Sequence, residues 1–154
     1  MVSKIQVQQN NIIDLDRLPR YLGYQIRQAQ TAVFRDIDKK MKSIGVTPSE
    51  FGLLSIISAN SGIHQKTLTK YFGLDKSTLS FSVNRLIKRK LVNRKKDPDD
   101  GRYYGLWVTK TGKEKARVAT GYIEAQEDLM DSILVSKERE QLLGMLARIS
   151  NVLT

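Results

Sequence analysis

Between Asp75 and Arg89, residues able to hydrogen-bond a base edge recur at helical spacing. With Leu79, Val83, Leu86 and Ile87 turned inward, the opposite face carries Ser77, Phe81, Asn84, Arg85 and Lys88, with Lys76, Thr78 and Ser80 on its flanks. Small hydroxyl side chains at a helix N-terminus permit close approach to a groove. Asn and Arg can bond a base edge through two hydrogen bonds at once. Phe81 is the odd member, a large apolar side chain on a polar face. Contact with a thymine methyl would account for it, and so would packing on a neighbouring helix. Gln65 and Lys66, at the start of the preceding helix, extend the same candidate surface. Arg94, Lys95 and Lys96 follow on a strand as further DNA-facing residues, and the strand lysines suit phosphates. Arg102 sits on a thin polar turn, from which a guanidinium can enter a narrow minor groove.

Other chemistries find no residues to carry them. There are no cysteines and a single histidine, His64. That excludes disulfides, thiolate zinc sites and thiol redox sensing, and leaves no metal site to expect. No phosphate-binding loop, nucleophile elbow or paired-carboxylate pattern appears, so neither an enzyme nor a cofactor is expected.

Charge points the same way. The chain of 154 residues carries a net charge of +10. Ser61 to Arg117 holds 15 Lys/Arg against 5 Asp/Glu, while the remainder carries 11 of each. The whole excess therefore lies in one central segment, as a surface facing a polyanion requires. A membrane-surface protein would gather it on one amphipathic helix, whereas here it spans a helix pair and a hairpin. The N-terminus lacks the apolar core of a signal peptide, and the run Phe51–Ala59 is too short to span a bilayer. A cytoplasmic protein is expected.

These groups must be positioned by a mainly helical frame. Residues 1 to about 18 read as a loose arm. Leu22, Ile26, Ala29, Val33, Ile37, Met41 and Ile44 then mark a long helix ending at Gly45. Thr47-Pro48-Ser49-Glu50 is a capping box opening a second helix, with Leu53, Leu54 and Ile57 inward. A short helix from His64 to Tyr71, with Leu68 and Phe72 inward, turns at Gly73 into the helix capped by Asp75. The period then changes to two. Leu91–Lys96 and Tyr103–Val108 read as strands joined by Asp97-Pro98-Asp99-Asp100-Gly101-Arg102. Thr111-Gly112-Lys113-Glu114 reads as a second capping box, opening a long helix to about Leu134 with Ala119, Ile123, Gln126, Met130 and Ile133 inward. Ser136 caps a last helix with an apolar face of Leu142, Leu143, Leu146, Ile149 and Leu153. The order is that of a winged helix-turn-helix: mainly α with a small β-hairpin, a single domain over 1–154.

From about residue 20 to the end the chain resembles the MarR family of bacterial transcription regulators. The resemblance rests on Leu74-Asp75-Lys76-Ser77-Thr78-Leu79-Ser80, at the start of the recognition helix, and on Asp97 to Arg102, the wing. It extends to Leu106-Trp107-Val108-Thr109 and Thr111-Gly112. The family's Asp-x-Arg wing element falls on Asp100 and Arg102. The resemblance implies a homodimer on a double-stranded DNA operator. About 47–109 would form the DNA-binding lobe, and about 19–45 and 111–153 the dimerisation helices. The apolar end of the last helix favours a dimer independently, because a small monomer would struggle to bury it. Two positions depart from the family pattern. Phe81 stands where a polar or basic residue is common. Lys90 stands where glycine is usual after the recognition helix, so that helix is expected to end differently.

The resemblance also implies control by a small, commonly aromatic, anionic effector, as in members governing the catabolism of aromatic acids or their CoA thioesters. Tyr24 and Phe34 could stack on a ring and Arg27 could clamp a carboxylate, with Gln28 beside them. His64 could add a hydrogen bond. The expected function is a ligand-responsive regulator, a repressor released from a palindromic operator. The alternative is an architectural DNA-binding protein without small-molecule control.

Overall fold

Capping chemistry sets several of the helix starts in this computed structural model, which describes residues 13–72, 75–97, 101 and 103–153. The reading of an N-terminal arm over residues 1–12, and those of Gly73 and Leu74 and of Pro98, Asp99, Asp100 and Arg102, fall outside the described residues, as does the inward placement of the Phe72 side chain. The chain divides into two units, one up to Asp36 and one from Ile37 onward.

Helix α1 spans Leu22–Met41, and the division falls within it. It stops three residues short of the expected end, because Lys42–Ile44 tighten into a 3₁₀ turn before Gly45 adopts φ 65°. Helix α2, Pro48–Ala59, opens on the expected capping box. Thr47 accepts from the Glu50 N–H at 3.2 Å, and Glu50 accepts from the Thr47 N–H at 2.9 Å. Strand β1, Ile63–His64, precedes α3 at Gln65–Phe72 and α4 at Lys76–Lys88. Strands β2, Val92–Lys96, and β3, Tyr104–Val108, lead into α5 at Lys110–Asp131 and α6 at Ser136–Leu153.

The sheet has three antiparallel strands in the order β1-β3-β2 rather than a two-stranded hairpin. Two residues were too short a run to register as a strand in the sequence. The third strand depends on Gly105, which pairs with His64. A Cβ there would lie 2.6 Å from the Gly62 carbonyl oxygen and from the Trp107 ring, so only glycine lets β1 approach.

Helix α5 starts earlier than its expected capping box. Thr109, not Thr111, is the N-cap, accepting from the Gly112 N–H at 3.0 Å. The same hydroxyl donates to the Lys90 carbonyl at 2.8 Å, tying the helix to the end of the α4 segment. Glu114 is then free of a capping duty and pairs with Arg117 at 2.7 Å. Helix α5 also ends at Asp131, which leaves Ile133 beyond it and 78% exposed, not on a buried stripe.

The main core joins α2, α3, α4 and the sheet. Leu54, Ile57, Leu68, Leu79, Val83, Leu86 and Leu106 are each 0% exposed. Burying a side chain of this size stabilises by roughly 2 kcal/mol, so this cluster sets the orientation of α4. A second cluster, Ile37, Met41 and Ala119, packs the last turn of α1 on α5. Ile87 is only half-buried, at the edge of the main core.

Helix α4 does not end differently at Lys90. Lys90 adopts φ 57°, the Leu91 N–H bonds the Leu86 carbonyl at 2.9 Å, and the Lys90 N–H bonds Ile87 at 2.9 Å. This is a Schellman closure in which buried Leu86 and Leu91 meet. Packing of those two leucines holds a lysine where glycine is easier. Lys90→Gly is therefore expected to stabilise the fold by about 1 kcal/mol, read as a raised denaturation midpoint at unchanged m.

Candidate nucleic-acid interface

The buried stripe of α4 dictates what it presents to solvent. Lys76, Ser77, Thr78, Phe81, Asn84, Arg85 and Lys88 are exposed and Ser80 is half-buried. Phe81 is 71% exposed, so it does not pack on a neighbouring helix within this chain. Lys66 at the start of α3 and Lys96 on β2 are also exposed, and Gln65 is half-buried.

The N-terminus of α4 is anchored by Asp75. Its carboxylate accepts from the Thr78 N–H at 2.8 Å, from the Thr78 hydroxyl at 2.5 Å and from the Ser77 hydroxyl. Those hydroxyl bonds, then the backbone bond, hold its pKa far below the usual carboxylate range. A depressed carboxylate stabilises above its unfolded pKa and loses that contribution only as pH falls toward the folded value. The cap is therefore intact throughout the neutral range. With their protons turned to Asp75, Ser77 and Thr78 present oxygen lone pairs outward, as acceptors.

Two further clusters brace this face. Glu50 is 4% exposed, beyond its capping duty. Arg89 donates to both its oxygens, at 2.8 and 2.9 Å, and also to the Gly45 carbonyl. Arg85, expected among the base readers, has Nε 3.1 Å from Glu50 Oε1, while its side chain stays 52% exposed. At the wing, His64 Nε2 lies 2.8 Å from Asp97 Oδ2, and its ring stacks on Tyr103 with centroids 5.4 Å apart. The Asp97 N–H closes the hairpin on the Tyr103 carbonyl at 2.9 Å. The wing is thereby pinned to β1.

A polar bridge joins β2 to both helices. Arg94 Nη2 donates to Gln65 Oε1 at 2.9 Å and to Asn84 Oδ1 at 3.1 Å, and Gln65 Nε2 donates to Ser80 Oγ at 2.6 Å. Strand register explains it. Arg94 pairs with Leu106, and cross-strand partners leave the sheet on the same face. Leu106 is buried, so Arg94 emerges on the helix side, two residues after buried Val92. That alternation was the signal in the sequence for its direction. Nothing local could have paired Glu50 with an arginine 39 residues away.

Tyr24, Arg27, Gln28 and Phe34 share one face of α1 in the first unit. Tyr24 is half-buried and the other three are exposed. His64 belongs to the second unit, where Asp97 and Tyr103 engage it. Among the described residues no His/Asp/Glu group could hold a metal ion, and no helix is long and apolar enough to cross a membrane.

Comparison with known proteins gives this surface a context. A model of the MarR family matches residues 44–102. A Thauera aromatica protein described as a transcriptional regulatory protein for the hcr operon is 32% identical over 130 residues, 83% of this chain and 78% of the relative. The repressor CouR bound to a 23-mer DNA duplex superposes with a TM-score of 0.81 at 28% identity, over 90% of this chain and 98% of CouR. CouR bound to p-coumaroyl-CoA matches with a TM-score of 0.81 at 27% identity, over 90% and 97%.

Proposed function

The chain belongs to the MarR family of winged helix-turn-helix transcriptional regulators, and from this we propose that it is a homodimeric repressor released from a palindromic operator by an aromatic acid or its CoA thioester. The observation that carries the reading is the exposed α4 face, with Phe81 and Asn84 flanked by basic β2, on a chain whose net charge of +10 is concentrated around it. Phe81 contacts a thymine methyl in the major groove, and Lys66, Lys76, Lys88 and Lys96 meet phosphates. Arg102 and Asp100, the Asp-x-Arg element of the sequence, serve the minor groove. The effector class is supported by CouR, which takes both DNA and p-coumaroyl-CoA. On α1, Tyr24 and Phe34 stack on the ring, and Arg27, with Gln28 beside it, holds the carboxyl or thioester end.

The test is an anisotropy titration on operator DNA. The log–log dependence of affinity on salt should have a slope of about −5 or steeper, over half-sites roughly 10 bp apart. Addition of hydroxycinnamoyl or benzoyl CoA thioesters, or of the free acids, should release the duplex. A slope near zero would remove the electrostatic argument. Steep, sequence-tolerant binding that no acid or thioester weakens would instead favour an architectural protein.

A further inference from the structure

Arg94 reads from the sequence as a DNA-facing residue, and its guanidinium reaches across to α3 and α4. A guanidinium has donors and no acceptor. Any amide it meets must therefore turn its oxygen toward it. Gln65 does so, and its nitrogen consequently faces Ser80 Oγ at 2.6 Å. Asn84 does so as well, with Oδ1 3.1 Å from Arg94 Nη2. Asn84 is an exposed residue of α4, one turn from exposed Phe81.

The orientation of that amide has a chemical consequence. Reading adenine through two bonds requires an asparagine to accept from N6–H and donate to N7 at once. Guanine instead presents two acceptors, O6 and N7, on its major-groove edge. An amide whose oxygen is drawn back toward β2 leads with its NH₂ group, and two outward hydrogens suit guanine. We propose that Arg94 is a specificity-determining positioning residue: by holding Asn84 Oδ1 it makes α4 present an amide donor, selecting guanine over adenine at the base pair Asn84 meets. Gln65 supports the arrangement from the other side, fixing Arg94 between the helices through its own bond to Ser80. The inference rests on α4 reading the operator's major groove, as proposed above.

The experiment is selection of bound duplexes from a randomised pool by the 154-residue chain and four variants. Asn84→Ala identifies the base pair, as the position whose preference it abolishes. The wild type should carry guanine there. Arg94→Met, which has the length but no donor, and Arg94→Ser, too short to reach Asn84, should both move that position toward adenine by roughly tenfold, leaving the other positions unchanged. Arg94→Lys, which retains a donor, should keep guanine. Thermal melting checks that each variant is folded, and two unlike replacements must agree. The inference is overturned if wild type selects adenine there, or if both Arg94→Met and Arg94→Ser weaken all sequences evenly without a shift. It is also overturned if Asn84→Ala changes no position although the wild type selects a defined operator, and the operator reading then stands. A wild type that selects no sequence removes the operator reading itself, and this inference with it.

Discussion

A double variant, Leu143→Glu with Leu146→Glu, is expected to sediment as a monomer and to bind operator DNA at least about 100-fold more weakly than the wild type. The expectation comes from α6, which has an apolar stripe and no buried residue. Leu143 is 53% exposed, Leu146 38%, Val152 83% and Leu153 79%. Isolated exposed leucines are ordinary, but a continuous stripe along an 18-residue helix is a surface that water does not favour. A second copy of the chain covers it in the proposed dimer. Four carboxylates at the centre of that interface, two from each protomer, would be desolvated without partners, which costs several kcal/mol per dimer. Linking two half-site contacts in one particle raises affinity by about 10²–10⁴-fold, and a monomer forfeits that gain. Sedimentation velocity and anisotropy measure the two losses separately. Circular dichroism should show helical content retained, because neither side chain contributes to a described core cluster. A variant that remains dimeric would place the interface elsewhere.

Glu50→Ala is expected to be the most destabilising change of a polar residue, by about 3 kcal/mol, or about 10 °C in midpoint. One carboxylate caps α2 through the Thr47 N–H and accepts two bonds from Arg89, with Arg85 Nε 3.1 Å away. Losing the cap alone costs about 1 kcal/mol. Breaking a fully buried ion pair costs about 3–5 kcal/mol. Here the arginine side chains are 31% and 52% exposed, so water recovers part of their solvation and the lower end applies. Glu50→Gln keeps an acceptor for Thr47 and should lose roughly half as much. Chemical denaturation at neutral pH measures both. A change below about 0.5 kcal/mol would mean that solvent replaces the cluster without loss. Operator binding by the folded fraction is a second readout, because Arg85 loses the group that restrains it.

Much of the architecture was legible because it rests on local or periodic signals. The Thr47 and Asp75 caps and the left-handed Gly45 are matters of a few neighbouring residues. The stripes Leu53/Leu54/Ile57 and Leu79/Val83/Leu86 follow from helix period, and their burial was readable from spacing. Clustering of charge between Ser61 and Arg117 needs only counting, and it points to a polyanion. The face opposite a buried stripe is likewise determined once the stripe is known. Helix period alone therefore places Phe81 and Asn84 on the outer surface of α4.

What the sequence could not decide were pairings between distant residues that compete for the same group. Local pattern favoured Thr111 as a cap, but Thr109 prevails because its hydroxyl also reaches the Lys90 carbonyl, 19 residues away. Lys90 read as a misfit for a left-handed position, yet Leu86 and Leu91 bury together and hold it there. His64 read as a candidate ligand contact, and the third strand carries it to Asp97 and Tyr103. Arg94, Gln65 and Asn84 each read as a separate contact to DNA. Folding brings them within hydrogen-bond distance of one another, and donors and acceptors that meet in the folded chain satisfy each other. On α4, sequence alone thus determined which residues face outward. Tertiary structure decided which way their polar atoms point, because that depends on partners 10 to 39 residues away whose approach only the packed core creates.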